Sequence, residues 1–161
     1  MASRVYYGEN SSGIQGKTPL ARIQSIVSSL NSNIDYKNLG RVSLLGYNAE
    51  SQAWNFSLIV FKPSKEITQP DQQIIFSLIK DIFVKASGQI FGNTGINILA
   101  IYPDGKVFLL SMSPDSVKEI KRYEERGEDP EDWYRYVSEV PASIQLQQEN
   151  QQEQSPKEQN K

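Results

Sequence analysis

Phosphate chemistry has one candidate in this chain. Residues 11–18, SSGIQGKT, come close to the loop pattern G-x-x-x-x-G-K-[ST]. In such a loop the backbone amides cradle phosphates, the lysine reaches the terminal phosphates and the hydroxyl holds Mg²⁺. Gly16, Lys17 and Thr18 fit, but Ser11 stands where the pattern needs glycine, and Pro19 follows Thr18 directly. Val5-Tyr6-Tyr7 would be the preceding strand, and a helix follows. The rest of the chain nevertheless reads as hairpins, not as the βαβ units of a parallel sheet. No strand ending in Asp offers a second metal-site carboxylate. A loop that ends in a good helix cap accounts for the same residues, so a nucleotide site here is the last of three functional readings.

Other catalytic chemistry is scarce. The chain has no Cys and no His, which removes Cys/His zinc sites, thiol nucleophiles and the usual base of a Ser-His-Asp hydrolase. Carboxylate or lysine chemistry is still open. The acidic cluster Glu124, Glu125, Glu128, Asp129, Glu131 and Asp132 could hold a metal. It is explained more simply by a solvated face and by the preference of negative charge for a helix N-terminus. The expectation is a non-enzymatic protein without a cofactor.

Stacking and phosphate contacts have better candidates. Between residues 36 and 65, aromatic side chains alternate with basic ones. Tyr47, Trp54 and Phe61 offer π-faces on which bases stack, Arg41, Lys62 and Lys65 offer charge for phosphates, and Asn55 offers an amide. Residues 1–113 carry 10 Lys/Arg against 7 Asp/Glu, whereas residues 114–140 carry 5 against 9. The basic excess therefore falls on the part that bears the strands.

All of these but Lys65 sit on a predicted hairpin. Residues 40–62, GRVSLLGYNAESQAWNFSLIVFK, are two runs rich in β-branched and aromatic residues around a polar stretch, Asn48 to Gln52. Unbroken alternation puts Val42, Leu44, Trp54, Phe56, Leu58 and Val60 on a core face, and Arg41, Ser43, Leu45, Tyr47, Asn55, Ser57, Ile59 and Phe61 on the other. A second hairpin joins Ile96–Tyr102 to Lys106–Met112 through Pro103-Asp104-Gly105. Its second face carries Asn97, Leu99, Ile101, Val107, Leu109 and Ser111. That combined face is too apolar to be simply solvated. The acidic C-terminal helices, a second copy of the chain, or a ligand should cover it, and the helices are the first expectation.

Four helices are predicted, and Pro opens each. Thr18-Pro19 starts one with Leu20, Ile23, Ile26, Val27 and Leu30 in a stripe. Gln69-Pro70-Asp71 starts a second, largely buried helix ending at Gly88. Ser113-Pro114-Asp115 starts a third, and Asp129-Pro130-Glu131 a short fourth carrying Trp133, Tyr134 and Val137. The fold class is α+β: a four-stranded, mostly antiparallel sheet made of two β-hairpins with flanking helices, in the order α-ββ-α-ββ-α-α. Residues 1–17 read as a flexible arm and 18–140 as a single domain. Residues 141–161 read as a disordered Gln-rich tail, with seven Gln between 145 and 161.

With 38% hydrophobic and 22% charged residues, no membrane span and no signal-peptide core, an intracellular, cytoplasmic protein is expected. The layout is similar to that of roadblock-type dimeric domains, and also to that of small archaeal clamps that bind single-stranded DNA. Both resemblances are of layout, without a residue motif to carry over. Two main readings follow: a protein binding single-stranded DNA or RNA through Arg41, Tyr47, Trp54, Asn55, Phe61, Lys62 and Lys65, or a protein–protein module that forms a homodimer through the second sheet face or a strand edge.

Overall fold

The computed structural model describes residues 18–141. The expectations for the arm, for Gly16 and Lys17 and for the Gln-rich tail lie outside them, except that Pro141 ends a strand. The elements run α1 (Pro19–Ser32), β1 (Gly40–Asn48), β2 (Ala53–Val60), α2 (Gln69–Ser87), β3 (Gly95–Ile101), β4 (Val107–Met112), α3 (Pro114–Arg126) and β5 (Val137–Pro141). Short 3-10 turns at Ser64–Glu66 and Trp133–Tyr136 precede α2 and β5.

The helix starts follow the predicted chemistry. Thr18 Oγ1 accepts from the Ala21 amide at 3.1 Å, and Ser113 Oγ from the Ser116 amide at 3.2 Å. α2 opens with a capping box. Thr68 Oγ1 accepts from the Asp71 amide, and the Asp71 carboxylate accepts from the Thr68 amide, both at 3.3 Å. The cap is therefore Thr68, one residue before the expected start.

The sheet corrects the prediction in three respects. It has five strands in the order β1-β2-β3-β4-β5. Its central pair, β2 and β3, is parallel, from Ala53↔Gly95 to Ile59↔Ile101. A helix links these two strands, and a crossover of that length returns the chain in the same direction. Finally, the expected fourth helix is absent: after one 3-10 turn the chain extends as β5 against β4, pairing Met112↔Val137 through Phe108↔Pro141. Trp133 is nevertheless buried, with its ring 4.7 Å from Phe76 and 6.3 Å from Phe83 of α2.

All three α-helices pack on one face of the sheet. Ile23 and Leu30 of α1, Ile75, Leu78, Ile82 and Phe83 of α2, and Val117 and Ile120 of α3 join Val42, Phe56, Leu58, Val60, Ile96 and Ile98 in one buried cluster. The core face was therefore read correctly from alternation. The expected cover of the other face by the C-terminal helices is overturned, because α3 lies beside α2 in the core layer. Among the described residues, no helix is long and apolar enough to cross a membrane.

Candidate binding surface

The face turned away from the helices is built in three rows that follow from strand register. The first is Arg41↔Ile59↔Ile101↔Val107. The second is Ser43↔Ser57↔Leu99↔Leu109↔Val140, and the third is Gly46↔Asn55↔Asn97↔Ser111↔Ser138. Two rows are mainly aliphatic and one is polar. Within the polar row the Asn97 amide donates to Asn55 Oδ1 at 3.0 Å. Arg41 is the one charged side chain in the three rows. Among the described residues no helix lies over them; Ile59 and Val140 are exposed, and Leu99, Ile101, Val107 and Leu109 are partly so.

The seven residues proposed from the sequence do not converge. Arg41 and Asn55 are on the open face as expected. Tyr47 is not, and the cause is a β-bulge. Leu44 pairs with Phe56 but Gly46 pairs with Asn55, leaving Leu45 as the extra residue. Gly46 supplies the required backbone with φ +127°. The extra residue reverses the alternation, so Tyr47 pairs with Trp54 on the helix-side face, ring centroids 5.4 Å apart. Phe61 follows the last residue of β2 and is 47% exposed. Lys62 is drawn to α2, where its ammonium meets the Asp71 carboxylate at 2.7 Å. That hydrogen bond, followed by those from Thr68, holds Asp71 below its ordinary range. Lys65 is exposed in the first 3-10 turn.

Both edges of the sheet carry features that discourage strand addition. On β1, the Asn31 side chain of α1 clasps the outward backbone of Val42. Its Nδ2 donates to the Val42 carbonyl and its Oδ1 accepts from the Val42 amide, both at 2.8 Å. On the other edge, β5 is five residues long, ends in Pro141 and carries Glu139 on the helix-side face opposite Leu110.

Of the phosphate-loop candidate only Thr18 is described, and its hydroxyl is engaged as the α1 cap. No three His, Cys, Asp or Glu side chains among the described residues are grouped so as to hold a metal. Asp129 instead pairs with Lys80 of α2 at 2.7 Å, and Glu128 with Arg126 at 2.9 Å. The sequence reading lacked the bulge and the two edge devices. Gly46 inside a strand was the available signal for the first. No family model, curated protein or solved structure matches this chain.

Proposed function

We propose that the protein is a non-enzymatic interaction module whose open sheet face packs against a second copy of the same chain. The observation that supports this most is the contiguous set Ile59, Ile101, Val107, Leu99, Leu109 and Val140, over which no described element lies. The whole face, with strands roughly 4.8 Å apart and rows roughly 6.8 Å apart, spans on the order of 500 Å² including its polar row, and these six residues make up on the order of 200 Å² of it. Leu45 in the bulge and Phe61 past β2 are exposed large hydrophobics that border the strands.

A second copy fits better than an unlike partner because the face has almost no charge. A two-fold axis lying in the interface along the strand direction sets aliphatic rows against aliphatic rows and sends the two Arg41 side chains to opposite edges, so no like charges meet. The clasp on β1 and the short, Pro-ended β5 argue for face packing over edge pairing. Light scattering on the full chain tests this. The expected mass is twice 18.2 kDa at micromolar concentration, and Leu99→Glu should halve it while keeping the circular dichroism spectrum. A wild-type monomer across that range, or a Leu99→Glu dimer, overturns the proposal.

Single-stranded nucleic acid is the second reading. The Asn55–Asn97 pair beside Ser111, with Arg41 on the same face, favours it, because amides and hydroxyls read base edges. Fluorescence anisotropy with oligo-dT and oligo-U is the test. Binding that weakens steeply with salt supports the reading, and no binding at low salt removes it.

A further inference from the structure

On the opposite side of the sheet, between α2 and the β3–β5 edge, lies a cleft of about 330 Å³. Five aromatic side chains and one carboxylate dominate its wall: Phe76, Tyr102, Phe108, Trp133, Tyr134 and Glu139. The rings form two groups. Phe76 sits 4.7 Å from Trp133 and 6.1 Å from Tyr134, centroid to centroid, and Tyr102 meets Phe108 edge-on at 6.0 Å. Phe76 and Tyr134 are nearly half-exposed, so ring surface is open to a ligand at the mouth.

We propose that this cleft binds a small molecule with an apolar body and an ammonium head, the body lying on the rings and the head set against the Glu139 carboxylate. The volume is at the lower end of small-molecule sites, where a mostly apolar wall with a few placed polar groups is the usual composition. Ring faces attract cations, most strongly when solvent is excluded. Among the described residues, Glu139 is the one charged residue lining the cleft, and no Lys or Arg lines it. Its position breaks the pattern of β5: register puts it on the helix-side face beside Leu110, where alternation calls for an apolar residue. Asp104 stands nearby, its carboxylate accepting from Ser64 Oγ at 2.6 Å. The Tyr102 phenol is pushed above its ordinary range, first by burial and then by the charges of Glu139 and Asp104.

A carboxylate on the inner face of an edge strand also protects that edge from pairing, and this competing role predicts no effect of Glu139 on a ligand. The chain has two tryptophans, so Trp54→Phe in the full chain leaves Trp133 as the reporter. The expected result is a saturable change in its emission with benzyltrimethylammonium, with phenylacetate and benzyl alcohol at least about tenfold weaker. Glu139→Gln should bring the ammonium compound to the level of benzyl alcohol, and Phe76→Ala should weaken all three. The absence of a saturable change, equal affinities for the three probes, or an unaltered ammonium affinity in Glu139→Gln overturns the proposal.

Discussion

Two side-chain contacts carry more of the fold than their size suggests. The Tyr36 hydroxyl donates to the Asp81 carboxylate at 2.6 Å, and the ring is buried. Burial first, then that bond and the Asp81 charge, push the phenol well above its ordinary range. The unfolded chain loses this proton near pH 10, whereas the folded chain keeps it. The stabilisation is therefore complete below pH 10 and is lost as pH rises past it. Tyr36→Phe should cost about 1 kcal/mol at neutral pH and flatten the alkaline fall of stability, measured by urea unfolding between neutrality and pH 11. Some slope should remain from Tyr102, which is also raised. Asn31 is the second contact. Both halves of its amide serve one edge residue, Val42, at 2.8 Å. Asn31→Ala should cost on the order of 1–3 kcal/mol, since a partly buried N–H and C=O lose their partner. Urea unfolding reads that loss, and a cost near zero would mean that water replaces the clasp fully.

At the scale of elements, the β1 bulge decides which face Tyr47 takes, and Gly46 makes the bulge affordable. Gly46→Ala meets no neighbouring atom, but its φ of +127° strains any side chain. A loss on the order of 1–3 kcal/mol is expected, accompanied by a change in Trp54 emission as its contact with Tyr47 loosens. Much of the architecture was legible beforehand. Three of the four Pro-opened helices, both hairpins and the helix-side face of Phe56, Leu58, Ile96 and Ile98 follow from local capping chemistry and period-2 alternation. What escaped is of another kind. Alternation carries no count of extra residues, so the Leu45 bulge misplaced Tyr47. Strand partners are chosen by the whole sheet, so the parallel β2–β3 pair could not be read from two good hairpins. Before β5, Asp129-Pro130-Glu131 looked like a helix start, but the segment holds one 3-10 turn and then finds free backbone on β4. Of the seven residues singled out, Arg41 and Asn55 share the open face and Trp54 keeps the helix-side face that alternation gives it, whereas the bulge moves Tyr47 to that side and Lys62 pairs with Asp71 of α2.

For the whole molecule, the central asymmetry is a single core layer: three helices on one side of a five-stranded sheet and none described on the other. If the open face is closed by a second copy, folding and association are one equilibrium, and stability depends on concentration by mass action. The melting temperature of the wild-type chain should rise with protein concentration, while that of Leu99→Glu should stay flat. Salt separates the two functional readings in the same experiment. The open rows carry one charge, Arg41, so a dimer held by Leu99, Leu109 and Ile101 should melt almost independently of ionic strength. A complex with an oligonucleotide releases counterions and must weaken as salt rises. A concentration-independent melting temperature, raised by oligo-dT at low salt and restored to its free value by added salt, would exchange the order of the two proposals. A concentration-dependent one that ignores salt would place the burial of those aliphatic rows, rather than phosphate contacts, at the centre of what this sheet does.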